Sequence, residues 1–170
     1  MDAQIAFRVS VALGLTVWSV FGAVYLWPQL RERSRADALR PLLMIHAFRF
    51  VGMGFLVPGV VAPDLPMVFA RAAAYGDLAA CVLALLALAS LRGPLGIALA
   101  WLFNSWGTFD LFSAFYQANA SSLSPGQLGA TFFIPTFIVP MLLVTHFLAF
   151  RILLRADRSR ELVVTRAQVR

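Results

Sequence analysis

Lysine is missing from this sequence of 170 residues, and all 14 of its basic residues are arginine. This excludes lysine-dependent chemistry, because a retinal or pyridoxal Schiff base and a lysine nucleophile all need a primary amine. Charged residues make up only 13% of the chain, about half of the share in a soluble domain. The hydrophobic share is 61% and the mean hydropathy is +0.81. Such a chain cannot cover itself with polar surface, so the composition predicts a protein that uses lipid as its solvent.

Cysteine is almost as scarce, since Cys81 is the single one and lies in an apolar run. No intramolecular disulfide can form, and cysteine usage does not indicate a redox compartment. The net charge of +6 would suggest nucleic-acid binding if the protein were soluble. Here the arginines cluster at the ends of apolar runs instead of forming one face, so we expect no nucleic-acid partner.

Five apolar runs are long enough to cross a bilayer, whose hydrocarbon core of ~30 Å needs roughly 20 apolar residues per helix. We place the spans at residues 9–27, 42–61, 66–91, 95–116 and 128–150. The polar stretch 118–127, rich in Asn, Ser, Pro and Gly, indicates a loop. The predicted fold class is therefore an all-α integral membrane protein, a bundle of five transmembrane helices within residues 1–152. A basic tail follows at residues 153–170.

The arginines are distributed unevenly about these spans. Eleven of them lie after the first, third or fifth span, whereas Arg8 and Arg71 lie near the opposite side. Cytoplasmic segments of membrane proteins carry an excess of basic residues. We therefore expect the N-terminus outside and the C-terminal tail in the cytoplasm. The expected location is the bacterial inner (plasma) membrane.

Polar residues inside the spans indicate where function lies, because an ionisable group in lipid is costly and usually faces a cavity or a partner. They are His46 and Arg49 in the second span, Tyr75 and Asp77 in the third, Trp101, Asn104, Trp106, Thr108 and Asp110 in the fourth, and Thr145 and His146 in the fifth. A rise of 1.5 Å per residue puts Asp77 and Asn104 roughly 16–18 Å inside their spans, near the midplane. The short Asp77 side chain cannot reach water from there, so it must be protonated, paired or solvated by a cavity.

Two interpretations of this cluster remain open. In the first, Arg49 pairs with Asp77 or Asp110 only to hold helices together, and Asn104 adds hydrogen bonds. In the second, spans two to four enclose a polar pocket for a lipophilic molecule. Asp77 or Asp110 is then the general acid or base, and Arg49 tunes that acid or holds an anionic group. The expected substrate-binding residues are Tyr75, Asn104, Trp101, Trp106 and Thr108, with the tryptophans as the apolar wall.

Two prolines interrupt the fifth span. Pro135 and Pro140 each free a backbone carbonyl one turn earlier, at Thr131 and Thr136. In a membrane such carbonyls need partners or a water-lined space. A kink beside a cavity and a kink that merely packs around the bundle both satisfy this requirement.

His46 and His146 are the two histidines of the chain and lie at matching depths in different spans. Two histidines so placed are the arrangement that binds a b-type haem within a bundle. The alternative is that they are interfacial residues bonded to backbone or headgroups. Neither has a cysteine or carboxylate at ligand spacing, so we predict no other metal site.

The leading expectation for function is a small membrane-embedded enzyme acting on an isoprenoid, quinone, sterol-like or acyl substrate. We expect no soluble domain, which argues against chemistry that consumes nucleotides. The expected activity is therefore of the isomerase, cyclase or hydrolase type, and no cofactor is predicted. One alternative is a haem b-binding or accessory subunit of an electron-transfer complex. Another is a small proton-linked transporter. The expected partners are membrane lipids, the lipophilic molecule, and a second copy of the chain or a larger membrane complex.

Overall fold

The computed structural model describes residues 2–155 and folds them into a bundle of helices. Its five long helices are α1 (Ala3–Arg31), α2 (Arg35–Leu56), α3 (Met67–Ser90), α4 (Pro94–Ala120) and α5 (Ile134–Leu153). A 3₁₀ helix, Pro125–Phe132, precedes α5. Residues 2–155 contain no β-strand. The all-helical prediction is confirmed for these residues, and α1, α2, α3 and α5 are each long and apolar enough to span a membrane.

Helix α4 differs from the other four in its composition. Its 27 residues extend about 40 Å, which is ample for a bilayer. Polar residues such as Asn104 and Asp110 lower its mean hydropathy, yet both are buried. The polar side chains therefore face the other helices, and α4 packs more extensively against α3 than against any other helix.

Successive helices run in opposite directions, so the bundle has two distinct ends. At one end Arg155 donates hydrogen bonds to the backbone carbonyls of Leu30 at 3.4 Å and Arg31 at 3.1 Å. At the other end the backbone N–H of Ala130 donates to the carbonyl of Val60 at 2.8 Å. Most of the predicted tail, with its last four arginines, lies outside the described residues.

Helix α2 changes its type half-way along. It begins after Ser34, whose hydroxyl accepts a hydrogen bond from the backbone N–H of Asp37 at 3.2 Å, and it is α-helical to His46. From Ala47 to Leu56 it is a 3₁₀ helix, with three residues per turn. Residues three apart are eclipsed in this geometry, so Arg49, Gly52 and Phe55 form one buried row.

The prolines of α5 lie beside a π-helical turn, Ile134–Ile138. A π turn is a local adjustment of the kind that accommodates a proline within a helix. The carbonyl of Thr136, one turn before Pro140, lies against Gly14 of α1, where a Cβ atom would collide with it. Pro135 lines a cavity instead. The kink at Pro140 therefore packs against the bundle, whereas the kink at Pro135 lies beside a cavity.

Two groups of buried apolar residues fill the bundle, one towards each end. We call the group near the arginine turns the arginine-end core; it contains Leu39, Leu42, Leu43, Ala80, Ala84, Ala87, Phe103, Leu148 and Ile152. We call the other the cavity-end core; it contains Phe55, Phe69, Ala70, Ala73, Leu111, Leu128, Val139 and Leu142. The polar residues of α2, α3, α4 and α5 lie between the two.

Candidate functional site

Arg49 lies between two carboxylates that come from two other helices. Its side chain is completely buried in the 3₁₀ row of α2. Its Nε donates to Asp77 Oδ1 on α3 at 2.7 Å, and its Nη2 donates to Asp110 Oδ2 on α4 at 2.6 Å. Hydrogen bonds between ionised groups are about twice as strong as neutral ones. The structure thus brings together the three residues for which a catalytic role was predicted.

The remaining nitrogen of Arg49 connects this ion cluster to α5. Nη1 lies 3.3 Å from the carbonyl oxygen of Gly107 and 3.3 Å from His146 Nε2. His146 Nδ1 is 2.7 Å from Asn104 Oδ1, and Asn104 Nδ2 donates to the backbone carbonyl of His146 at 3.2 Å. Because that amide nitrogen must donate, Oδ1 accepts the Nδ1 proton. Arg49 has only donors, so His146 Nε2 accepts, and the ring is neutral.

His46 lies against His146 and is neutral for a similar reason. Its Nε2 is 2.9 Å from the Thr145 hydroxyl, which donates its own proton to a backbone carbonyl of α5. The hydroxyl therefore accepts from His46, and Nδ1 is buried without a hydrogen-bond partner. A second proton on Nδ1 would place an unpaired charge in the interior, which is costly. Phe103 packs on both imidazoles, at centroid distances of 4.9 and 5.2 Å, and completes a layer of three rings.

The geometry of the two histidines does not fit a shared haem. A haem with two axial histidines would lie between the rings, with one nitrogen of each directed at the iron. The ring centroids of His46 and His146 are 4.1 Å apart, and contacting carbon atoms already need ~3.5–4.0 Å. No space remains for a macrocycle between them. Within residues 2–155, no three or more His, Cys, Asp or Glu side chains are grouped so as to hold a metal ion.

Three glycines provide the space that these polar groups occupy. A Cβ atom at Gly52 would overlap the Asp77 carboxylate, and one at Gly76 would overlap that of Asp110. At Gly107 it would lie 2.6 Å from the His146 ring and 2.8 Å from Arg49 Nη1. Neither contact can relax without moving a buried group.

A cavity of about 260 Å³ extends from the bundle end that carries the N-terminus down to the two carboxylates. The side chains of Asp77 and Asp110 are each 11% exposed at its base. The walls are mainly apolar and include Phe7, Phe55, Phe69, Phe115, Leu111 and Leu128. The exposed residues Gln4, Arg8 and Asn119 surround the mouth. A molecule in this cavity would meet hydrocarbon along its length and two carboxylates at its end.

The three residues predicted to form the aromatic wall do not line this cavity. Tyr75 is 58% exposed on the outside of the bundle, because a residue two positions from Asp77 lies on another face of α3. Trp101 packs on Phe150 beside the arginine-end core. Trp106 is 40% exposed, and its indole N–H donates to the carbonyl of Gly76 at 3.4 Å.

The two remaining predicted binding residues do not line the cavity either. Thr108 donates to the carbonyl of Asn104 on its own helix at 2.7 Å. Asn104 is fully buried. It hydrogen-bonds to His146, which in turn contacts Arg49. The true wall had a signal in the sequence, since Phe69, Ala73 and Asp77 follow one another at the helical spacing of four residues.

A family model described as Domain of unknown function (DUF8737) matches residues 6–154. The chain belongs to this family. The DUF8737 match covers all five long helices apart from the first residues of α1, and it includes every residue of the ion cluster and of the three-ring layer. Neither a curated protein nor a solved structure matches the chain.

Proposed function

We propose that this protein is a small integral membrane enzyme that transfers protons on a lipophilic substrate, with Asp77 and Asp110 as its acid and base. The observation that carries this proposal is that two carboxylates share one arginine and face one apolar cavity. Each uses one oxygen on Arg49. Within residues 2–155 no hydrogen-bond donor reaches the other oxygens, Asp77 Oδ2 and Asp110 Oδ1. These two atoms lie in the spaces left by Gly52 and Gly76, and both side chains border the cavity.

The pair can act as general acid and general base in one turnover. A protonated carboxyl group donates its proton to one carbon of a double bond, and a carbocation forms. The second carboxylate then removes a proton from a neighbouring carbon, and the double bond is displaced. The substrate keeps its atoms, the two carboxyl groups exchange roles, and no cofactor is consumed. An isoprenoid, sterol-like, quinone or unsaturated acyl compound suits the apolar walls.

Arg49 has a positioning role in this scheme rather than a contact with substrate. It was expected to tune the acid or to hold an anionic group. Its side chain is fully buried behind the two carboxylates and does not line the cavity. It therefore fixes the positions of Asp77 and Asp110 and lowers the cost of keeping a carboxylate ionised in a dry site. His146 and Asn104 hold the guanidinium in place in turn.

The arginine-end core supports an enzyme over a transporter. Buried leucine and alanine side chains fill the bundle between the three-ring layer and the arginine turns, among them Leu43, Ala84 and Leu148. The cavity thus opens towards one end of the bundle. A transporter needs access to its site from both sides in turn.

The proposal includes five membrane spans: α4 crosses the membrane together with α1, α2, α3 and α5. The N-terminus lies outside. The burial of its polar residues supports a membrane position for α4. The arginines favour a cytoplasmic position for the turns after α1 and α3. In a Cys81→Ala background, an impermeant thiol reagent added outside should label Ser122→Cys. It should not label Ser159→Cys, which lies outside the described residues. Labelling of both from the same side would contradict five spans.

Deuterium uptake from solvent tests the proposed chemistry. The protein is purified with its bound lipids, incubated in heavy water, and the extracted lipids are analysed by mass spectrometry. We expect one lipophilic compound to gain deuterium, because each turnover exchanges a substrate proton with the carboxyl pair. Asp77→Asn and Asp110→Asn should abolish the uptake while the protein stays folded.

Asp64→Asn is the matched control for this experiment. Asp64 is an exposed carboxylate near the same end of the bundle, outside the cavity, and its oxygen accepts from Gln127 at 3.0 Å. Asparagine keeps an oxygen for that bond, so uptake should be unchanged. Undiminished uptake in a folded Asp77→Asn or Asp110→Asn protein would exclude a proton-transfer role for that residue.

A further inference from the structure

The ion cluster contains one more negative group than positive ones. Arg49 is the one cation that contacts Asp77 and Asp110 within residues 2–155. The hydrogen bonds of His146 and His46 make both rings neutral, so neither adds a positive charge. With both carboxylates ionised, the cluster carries a charge of −1.

Among residues 2–155, no other charged group contacts the two carboxylates and offsets this excess. Of the groups packed around the carboxylates, α2 contributes Arg49 and His46, and α5 contributes His146. From α1, Arg8 lines the cavity, but it is exposed at the mouth, where water screens its charge. An uncompensated charge in a dry interior costs several kcal/mol. The site is therefore incomplete until one further positive charge is present.

We propose that the base of the cavity binds one positive charge in addition to Arg49. When no ligand is bound, this charge is a proton. When a ligand is bound, the charge is the cationic centre of that ligand. The ligand class is then lipophilic organic cations, including protonated amines. The inference rests on the proposed function and names its substrate class, namely molecules whose reacting centre carries or develops a positive charge.

The cavity provides the groups that such a cation needs. Each carboxylate gives one oxygen to Arg49, so within residues 2–155 both keep acceptor capacity for an ammonium group at the base of the cavity. Phe55 and Phe69 line the wall and pack edge to face at a centroid distance of 5.3 Å. Aromatic faces attract cations, and the attraction grows when water is excluded. The guanidinium of Arg49 does not line the cavity, and the two carboxylates lie between it and a ligand there.

Four ligands with one apolar body and different charges test this inference. They are 1-aminoadamantane, (1-adamantyl)trimethylammonium, 1-adamantanol and adamantane-1-carboxylate. Binding is measured by titration calorimetry on the full chain in lipid nanodiscs near neutral pH. We expect both cations to bind about tenfold or more tightly than the alcohol, and the carboxylate to bind most weakly.

Proton release gives a second readout on the unmodified protein. The quaternary cation cannot carry an exchangeable proton, so its binding must displace the proton held by the carboxylates. Titrations in two buffers of different ionisation enthalpy should show release of about one proton per bound cation and none for the alcohol. Asp77→Asn and Asp110→Asn should lose both the cation preference and the release. Asp64→Asn should keep both.

The outcomes separate this inference from the proposed function. Four results would overturn the inference. They are equal binding of cation and alcohol, a preference for the carboxylate, cation binding without proton release, and binding by none of the four ligands. Because these results come from the unmodified protein, unstable variants do not obscure them. Failure of the deuterium experiment with the cation preference intact would overturn the enzyme and leave the cation site. Deuterium uptake without a cation preference would overturn the cation site and leave the proposed enzyme.

Discussion

The arginine-end core and the cavity-end core are built on the same helices with different residues and different helical geometry. In the first, Ala80, Ala84 and Ala87 of α3 have no exposed surface, and the segments of α2, α3 and α4 that form this core are α-helical. In the second, Phe55 and Phe69 pack beside the alanines Ala70 and Ala73, α2 is a 3₁₀ helix, and α5 begins with a π turn. Small residues allow helices to approach closely. Large residues and irregular turns keep them apart, and a cavity remains between them.

The ion cluster lies at the boundary between these two arrangements. The rings of His46, Phe103 and His146 lie at the edge of the arginine-end core, and Arg49 lies next to them. The 3₁₀ turn begins at Ala47, immediately before Arg49, so the geometry of α2 changes at the level where polar residues begin. A 3₁₀ segment within a longer helix often marks a functional position. Here it aligns Arg49 with Gly52, the glycine that leaves space for Asp77.

Removal of both carboxylates should have the largest effect on this boundary. In an Asp77→Asn, Asp110→Asn double variant the guanidinium of Arg49 stays buried without a counter-ion. We expect a loss of about 3–5 kcal/mol in the free energy of unfolding, because a stranded buried charge is that costly. Equilibrium unfolding of the purified protein in mixed micelles measures it.

Each single variant and Asp64→Asn serve as comparisons for the double variant. A single variant leaves one carboxylate on Arg49, so its loss should be less than half of that of the double variant. Asp64→Asn should be close to the parent, since the exposed Asp64 gains little from any charge pair. A double variant as stable as the parent would mean that Arg49 does not depend on these carboxylates.

One substitution placed in each core tests the difference in packing. Ala84→Leu adds bulk to a position with no free space, and we expect it to cost about 1–3 kcal/mol. Ala73→Leu, on the same helix, adds the same atoms where they can extend into the cavity. It should leave unfolding nearly unchanged and abolish binding of the adamantyl cations. Equal destabilisation by the two substitutions would show that the cavity is no less tightly packed than the arginine-end core.

Much of the helical framework could be predicted from hydrophobic runs alone. The third predicted span, 66–91, and the observed helix Met67–Ser90 differ by one residue at each end. The second, 42–61, begins seven residues late and ends five residues late, because the Ser34 cap starts the helix among polar residues that a hydropathy criterion leaves out. Pro58 and Gly59 then stand in the turn instead of the helix.

The site divides in the same way into predictable and unpredictable parts. The cost of a charged or polar group in lipid predicts that Asp77, Asn104 and Arg49 converge on one polar site, with Asp110 at its outer rim. In the structure Asp110 contacts Arg49 directly, and Asn104 is connected to Arg49 through His146. The cavity wall was assigned to Tyr75 and Trp106 because they are near the acids in sequence, whereas α-helical geometry turns neighbouring residues to different faces. The contact between His46 and His146 depends on how α2 and α5 pack, and no local pattern encodes that.

The smallest effect we expect separates the two histidines of the ring layer. His146→Phe keeps a ring against Phe103 but removes the acceptor for Arg49 Nη1 and the donor for Asn104 Oδ1. A buried acceptor without a donor is destabilising, so we expect a loss of about 1–2 kcal/mol. His46→Phe removes one hydrogen bond, which joins His46 to the Thr145 hydroxyl. That hydroxyl still donates to its own helix. The substitution also removes His46 Nδ1, a buried nitrogen without a hydrogen-bond partner. Its effect should be less than about 1 kcal/mol. Unfolding in the same micelles gives both values, and a greater loss for His46→Phe would mean that His46, not His146, organises the layer.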